Sequence, residues 1–427
     1  MSEQPRIFVA IPAMDEFKSI GETLLCIKSQ TYKNFKFFVC VNQPESYHDA
    51  PARADIVENN RKTLELLKAE TDIEVHVIDK SSPGNGWSDK GHGVGWARKV
   101  LFDAILCEAD DRDIVISMDA DTKFGPEYFG SVADQFLKFP MATALANPYY
   151  HPLSGDPELD RLMLRYEAYM RSYLLNFFRI GSPYNFTALG SAIAFPVHAY
   201  RRISGLAPKF SGEDFYLLQK LRKTGKILLF NTEVVKPATR YSDRVFFGTG
   251  PALIKGRTGD WSSYPIYSPL LFDKVSSLYH SFELLFDNDI PTVADEFIRQ
   301  SFNIEPYDLW AEMRQYNKDK TRFVHACHVK FDGLRILQFL RFYHFLEKTH
   351  HDASDELFGF LNTYFREEMS KAGIVSKPDF LNDSPEHLDN FRNLLFDIEF
   401  SYRQKDNDLN LQYSDKKSSN VWKYLGS

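Results

Sequence analysis

The sequence predicts an α/β fold with a mainly parallel sheet, followed by an all-helical C-terminal region. Two observations carry this. Short apolar runs rich in β-branched residues alternate with stretches of helical spacing between Arg6 and Val235, the pattern of βαβ units. After Gly259 only helical spacing remains, as in Phe272, Val275, Leu278 and later Phe331, Leu334, Leu337, Leu340. The expected division is residues 1–259 for the α/β domain and 260–427 for a helical subdomain.

RIFVAIPA from Arg6 reads as a buried strand, and Ile20, Leu24 and Ile27 mark a helix over Phe17–Gln30. FKFFVCVN, Phe35–Asn42, is a second strand, followed by an unusually long loop over Glu45–Arg61 and a helix over Arg61–Glu70. IEVHVID, Ile73–Asp79, and DIVISMD, Asp113–Asp119, are further strands, separated by a helix over Val94–Cys107. A helix from Pro126, a strand over Met141–Ala146 and an amphipathic helix over Asp156–Arg179 follow. TALGSAIAF from Thr187 is a small-residue strand. A helix starts near Gly212 with Gly225 as its expected C-cap, and ILLFNTEVV from Ile227 is the last strand. Helices are expected over Asp352–Met369 and Pro385–Tyr402, and a loose polar tail after Asp406.

Of the 427 residues 44% are hydrophobic, which excludes disorder as the whole story. A net charge of −7 disfavours nucleic acid as the main partner, because phosphate binding needs a basic surface. Aromatic residues reach 15%, ample for cores and for stacking sugars or bases. Cys26, Cys40, Cys107 and Cys327 form no CxxC pair; the first three lie in apolar segments and read as reduced core residues. MSEQPRIFVAIPA lacks the pattern of a cleaved signal, and no apolar run is long enough to span a membrane. The expected compartment is the cytoplasm.

The sharpest local feature is SMDADT, where Asp119 and Asp121 flank Ala120 at the end of an apolar strand. In parallel sheets that edge binds ligands, and two hard carboxylates so spaced suit Mg²⁺ or Mn²⁺ shared with substrate phosphates. The plain alternative is a solvated turn in which Asp121 caps the next helix. In KFSGEDFYLLQKL, Glu213 and Asp214 open an amphipathic helix. They read either as dipole-compensating carboxylates or as a general base with its partner. The loop SSPGNGWSDKGHGVGWARK carries Gly84, Gly86, Gly91, Gly93 and Gly95, which let backbone approach a ligand, and Lys90 and Arg98, which can neutralise a diphosphate. RYSDRVFFGTG, with Arg240, Arg244, Gly248 and Gly250, reads as a basic lid or as a connector.

In order and spacing these segments resemble family 2 glycosyltransferases over residues 6 to 250. IFVAIPAMDE is similar to the family's opening strand and loop, SMDADT to its DxD, and GSAIAFPVHAYRRISGLAPKFSGEDFYLLQKLRKTGK to its acceptor-side block. The resemblance implies the GT-A fold, an αβα nucleotide-binding sandwich. It implies Mn²⁺ or Mg²⁺ and a nucleotide-diphosphate sugar held at Asp119, Ala120 and Asp121. Asp214 would be the catalytic base and Glu213 its partner. Pro12, Asp15 and Glu16 fall where the family contacts the base, and Lys90 and Arg98 where it carries basic residues near the nucleotide. Arg244 joins the expected donor-binding set. The family's Asp pair after the second strand is replaced here by Asn42 and Gln43, so the implied nucleotide stays open. No QxxRW motif follows the ED block, which speaks against a processive synthase.

The implied reaction is transfer of the sugar to an acceptor hydroxyl of a glycan, lipid or small molecule, with inversion by single displacement. A peripheral membrane contact stays open for a lipid acceptor. The competing reading is a catalytically degenerate scaffold whose helical half binds a partner. A sugar nucleotidyltransferase is disfavoured, because IPAMDEFK lacks the Gly- and Arg-bearing loop it needs. His92, His151 and His198 are weighed as third metal ligands against a packed or surface role. His325 and His328 of HACH read as structural, and Tyr149, Tyr150, Tyr166, Tyr169 and Tyr173 as packing rather than an acceptor groove.

Overall fold

The computed structural model describes residues 4–244, 248–347 and 352–414. The chain divides into two compact units: Met1–Met163 with Phe186–Asp260 and Arg403–Leu411, and Leu164–Asn185 with Trp261–Tyr402 and the residues from Gln412. This is not a single cut near residue 259: Leu164–Asn185 belongs to the second unit and Arg403–Leu411 to the first.

Strand β1 (Ile7–Ala13) is buried along its whole length, and Ile7, Phe8, Val9 and Ile11 have no exposed surface. Full burial of such a side chain contributes about 1.5–3 kcal/mol. The chain continues through α1 (Phe17–Lys28), β2 (Phe35–Asn42), α2 (Ala54–Lys68), β3 (Val75–Lys80), α3 (Val94–Leu106), β4 (Ile114–Ser117), β5 (Thr122–Lys123), α4 (Tyr128–Lys138), β6 (Ala144–Ala146) and α5 (Pro157–Arg179). Next come β7 (Ile193–Pro196), α6 (Val197–Arg202), α7 (Glu213–Arg222), β8 (Ile227–Leu228), β9 (Lys236–Pro237) and α8 (Thr249–Arg257). The main sheet has the order β3-β2-β1-β4-β7-β6-β8. Its pairs are parallel except that β7 runs against both β4 and β6. This is the mostly parallel α/β fold that the sequence predicts. The order switches between β1 and β4, so a crevice opens beyond their carboxyl ends.

Several boundaries differ from expectation. Thr187–Leu189 is not strand: β7 starts at Ile193, because Gly190 lies under the Arg98 guanidinium and its carbonyl accepts from Ser117 Oγ at 3.0 Å. Strand β8 covers two residues rather than extending to Val235. Beyond it, ladder bonds give way to Arg403 donating to Leu229 O at 2.6 Å and to Asn231 donating to Asn147 Oδ1 at 2.8 Å. The long loop before α2 contains two 3-10 turns, and α2 begins at Ala54. Gly225 is not a left-handed C-cap. Helix α7 ends at Arg222 with Lys223 as its C-cap, and Gly225 is needed because a Cβ there would lie 2.5 Å from Thr143 Cγ2. All four cysteines are free; Cys40 and Cys327 are buried, whereas Cys107, at the end of α3, is exposed rather than in a core.

The second unit contains α9 (Pro269–Asp287), α10 (Asp295–Phe302), α11 (Pro306–Tyr316), α12 (Lys320–Lys330), α13 (Gly333–Leu346), α14 (Ala353–Tyr364), α15 (Arg366–Lys371) and most of α16 (Pro385–Ser414). The expected helix over Asp352–Met369 is thus two. The tail after Asp406 stays helical to Ser414, and the remainder lies outside the described residues. Phe282, Trp310, Phe331 and Leu340 fill one core, with His328 packed against Tyr279 and Phe282. Tyr169 and Tyr173 pack against the same core, the structural role expected of them. A buried ion cluster joins α5 to α16: Arg171 reaches Glu399 at 2.7 Å and Glu167 at 3.4 Å, and Arg392 reaches Glu167 at 3.4 Å. Among the described residues no helix is long and apolar enough to cross a membrane.

Two glycines of the first unit test this packing. A Cβ at Gly95 would lie 2.2 Å from the Lys209 carbonyl oxygen, a backbone atom, whereas nothing lies within 4 Å of one at Gly21 in α1. Gly95→Ala is expected to destabilise the protein by about 2 kcal/mol or more through overpacking. Gly21→Ala is expected to stabilise it by about 0.5 kcal/mol through helix entropy. Urea denaturation of both variants checks the pair.

Candidate active site

The DxD turn is built where β4 leaves the sheet. Met118 N donates to Ala10 O of β1 at 3.1 Å, and Thr122 N to Asp119 O at 3.3 Å. The buried Thr23 hydroxyl of α1 sits 2.8 Å from Ala120 O and 3.2 Å from Thr122 O, holding the turn from beneath. Asp119 and Asp121 then face a cleft of about 230 Å³.

Arg98 of α3 is buried below that cleft. Its guanidinium donates to Ser117 Oγ at 3.1 Å, to Asp119 Oδ1 at 2.5 Å and to Glu213 Oε1. Gly190 must be glycine, since a Cβ would sit 2.3 Å from Arg98 Nη2. Gly212, at φ +75°, turns the chain so that α7 begins with Glu213 and Asp214. Glu213 is 2% exposed and bound downward by Arg98, while Asp214 lines the cleft. Burial, then the neighbouring Glu213 charge, raises the Asp214 pKa to about 7, with Arg98 opposing the shift. Two adjacent carboxyls thereby acquire different roles, one held by Arg98 and the other able to carry a proton near neutrality.

The opposite wall comes from a small second sheet. β9 pairs antiparallel with β5, Thr122 with Pro237 and Lys123 with Lys236, and so starts the following segment beside the DxD turn. Arg240 then donates to Asp121 Oδ2 at 2.6 Å and to Glu16 Oε1, and Arg244 to Glu16 Oε1 and Met14 O. Burial and then the Glu16 charge raise the Asp121 pKa to about 6, with Arg240 pulling it down. Glu16 Oε2 is buried with no hydrogen-bond partner among the described residues.

The cleft therefore gathers Pro12, Glu16, Asn42, Arg98, Asp119, Ala120, Asp121, Glu213, Asp214 and Arg244 of the sequence-derived candidates. Asp15 and Lys90 are not in its lining. Asp15, at φ +60°, donates its N–H to Asn60 and accepts from Asn59, both of α2, and Lys90 is exposed. Arg98 grips carboxylates rather than standing free for a diphosphate. Asn42 is tied on both sides, its Nδ2 donating to Ala13 O at 3.0 Å and its Oδ1 accepting from Trp87 Nε1 at 3.3 Å. The glycine-rich loop is organised by protein. The Glu45 carboxylate accepts from Gly84 N at 2.8 Å and Gly86 N at 2.7 Å, which holds its pKa below the ordinary value. Sequence reasoning missed Thr23 and Ser117. A buried hydroxyl on the apolar face of α1 was the signal for Thr23; His151, considered only as a metal ligand, is buried at the cleft wall.

Among the described residues no group of three or more His, Cys, Asp or Glu side chains is placed to hold a metal by itself. His198 faces Asp111 O and His92 packs on Phe210, neither of them in the cleft lining. The two Asp carboxylates do fit Mg²⁺ or Mn²⁺ completed by substrate oxygens. Glu16 Oε2, without a hydrogen-bond partner among the described residues, leaves a further carboxylate oxygen beside them.

No family model and no curated protein matches the chain. Solved structures do. Residues 1–349 of S. aureus TarS in complex with UDP-GlcNAc are 13% identical, with 94% of this chain and 92% of that chain covered and a TM-score of 0.40. The mannosyltransferase PcManGT from Pyrobaculum calidifontis, in complex with GDP-Man and Mn²⁺, is 13% identical over 91% and 86% of the two chains, with a TM-score of 0.38. Glucosyl-3-phosphoglycerate synthase from Mycobacterium tuberculosis, in complex with UDP, is 15% identical over 60% and 80%, with a TM-score of 0.32.

The raised pKa values have a sign in stability. An Asp whose folded pKa lies above its unfolded value contributes full stability below pH 4, lost as pH rises through about 6 for Asp121 and about 7 for Asp214. Asp214→Asn is therefore expected to raise the ligand-free melting temperature at pH 8 by about 2 °C or more and to leave it nearly unchanged at pH 4. Differential scanning calorimetry at the two pH values reads this directly.

Proposed function

We propose that this protein is a metal-dependent glycosyltransferase of the family 2 type, moving a sugar from a nucleotide-diphosphate donor to an acceptor hydroxyl. One observation carries the reading: the DxD carboxylates and a proton-accepting Asp214 face one cleft at the sheet's switch point. Asp119 and Asp121 would hold Mn²⁺ or Mg²⁺, which when bound supplies positive charge to the donor diphosphate.

In the reaction, Asp214 takes the proton from the acceptor hydroxyl as its oxygen attacks the anomeric carbon. The glycosidic bond to the diphosphate breaks on the opposite face, the electron pair leaves with the nucleoside diphosphate, and configuration inverts. Arg98 keeps Asp119 and Glu213 in register without touching the reacting atoms. Arg240 and Arg244 line the cleft as guanidiniums able to meet the diphosphate. The acceptor is a glycan, lipid or small molecule, and the cytoplasm is the expected compartment.

Calorimetric titration of UDP, GDP, CDP and dTDP, with and without Mn²⁺, tests the reading. One nucleotide is expected to bind with Mn²⁺ and to be lost in Asp119→Ala/Asp121→Ala. Absence of binding by all four would favour the scaffold reading. With the donor so identified, Asp214→Asn is expected to lower kcat by about 10²–10⁴ while leaving donor affinity within about threefold. Because only the carboxylate form accepts a proton, wild-type kcat/KM should fall tenfold per pH unit below about 7. A flat profile from pH 5 to 8 would remove Asp214 as the base.

A further inference from the structure

The cleft holds its own cation. We propose that Arg240 is a resident counter-ion that occupies the divalent-cation position at Asp121 in the donor-free protein and transfers to the diphosphate when cation and donor bind. This rests on the proposed reading of the cleft as a nucleotide-sugar site.

The β5–β9 pair pins the chain at Pro237, three residues before Arg240. From there the side chain reaches down so that Nε meets Asp121 Oδ2 at 2.6 Å, with Nη2 on Glu16 Oε1. Asp121 and Glu16 side chains are 13% and 5% exposed, while Arg240 itself is 31% exposed. The carboxylates are fixed in the floor and the guanidinium arrives from the solvent side. A guanidinium and a divalent ion cannot share Asp121 Oδ2, for reasons of both space and charge.

The arrangement is also not the best that these groups could make. Arg240 and Arg244 both donate to the same oxygen, Glu16 Oε1, while Glu16 Oε2 has no hydrogen-bond partner among the described residues. Two like charges converging on one oxygen beside an unused one hold each other weakly. Arg240 is the solvent-facing member of the pair, so a divalent ion that neutralises the carboxylates and a diphosphate that takes the guanidinium together displace it. Its long, flexible side chain lines the same cleft, where a diphosphate offers the guanidinium a new anionic partner. The consequence is coupling. Cation alone must compete with Arg240, whereas cation with nucleoside diphosphate gives Arg240 a new partner, so each raises the affinity of the other.

Arg244 supplies the internal control. It sits on the same segment and on the same glutamate, yet its recorded partners are Glu16, Met14 O and Ser242 Oγ, not Asp121. Removing either arginine takes away one charge; removing Arg240 alone vacates Asp121.

The test is titration of MnCl₂ alone into wild type, Arg240→Gln, Arg240→Lys and Arg244→Gln, followed by UDP, GDP, CDP and dTDP at saturating Mn²⁺. Arg240→Gln is expected to bind Mn²⁺ about tenfold tighter than wild type and nucleoside diphosphate about tenfold weaker. Arg244→Gln is expected to shift Mn²⁺ affinity by less than about threefold. Arg240→Lys, which keeps the charge without the fork, is expected to fall between wild type and Arg240→Gln. Thermal melts verify that each variant is folded, and Arg240→Lys carries the comparison should Arg240→Gln fail to fold. The proposal is overturned if vacating Asp121 leaves Mn²⁺ affinity unchanged or lower, or if Arg244→Gln matches Arg240→Gln. If none of the four nucleoside diphosphates binds any protein, the transferase reading loses its support while the Mn²⁺ comparison still decides the role of Arg240.

Discussion

The buried guanidinium of Arg98 ties the end of β4 to the start of α7 by holding Asp119 and Glu213 at once, with Ser117 as a third partner. An unpaired charge at that depth would cost several kcal/mol, so the segments carrying the two carboxylates must come to it. Much else follows from this constraint. Position 190 must be glycine, strand β7 must start late, and Glu213 must turn downward. Asp214, the next residue, is left facing the cleft beside a fixed negative charge, and that neighbour together with burial raises its pKa.

Charge in the cleft is unbalanced in an informative way. Its lining includes the carboxyls of Glu16, Asp119, Asp121, Glu213 and Asp214 against the guanidiniums of Arg98, Arg240 and Arg244. Burial and then the Glu16 charge raise the Asp121 pKa, and Glu16 Oε2 has no hydrogen-bond partner among the described residues. Such frustration lowers the stability of the free protein and favours ligands that bring positive charge. The α5–α16 ion cluster of the second unit behaves differently, because each of its buried charges has a buried partner. The two networks show why buried charge alone does not mark a site; accessibility and imbalance do.

Residues far apart in sequence reach the cleft by ordinary means. Thr23 fixes the DxD turn by one hydroxyl, β9 brings the Arg240 segment by a two-residue ladder, and Gly212 aims α7 by one left-handed residue. None of these has a strong local signature. Thr23 is one polar residue on an apolar helix face, and a two-residue strand lies below the length at which alternation can be read. The glycine-rich loop misleads in the opposite sense: its composition suggests a ligand, yet Glu45 occupies Gly84 N and Gly86 N, and Gly95 is required by the Lys209 backbone.

From the sequence by itself came the α/β class, the order of most strands and helices, the helical second half and the two acidic motifs. These depend on periodicity and on residue type at a strand or helix end, which are local properties. The roles within the motifs were decided only by tertiary structure. Arg98, a basic residue near a glycine-rich loop, became a buried clamp; Asn42, an amide at a strand end, became a tie between backbone and Trp87. The reason is that a side chain's chemistry depends on burial and on which charges face it, and those partners lie tens to hundreds of residues away along the chain.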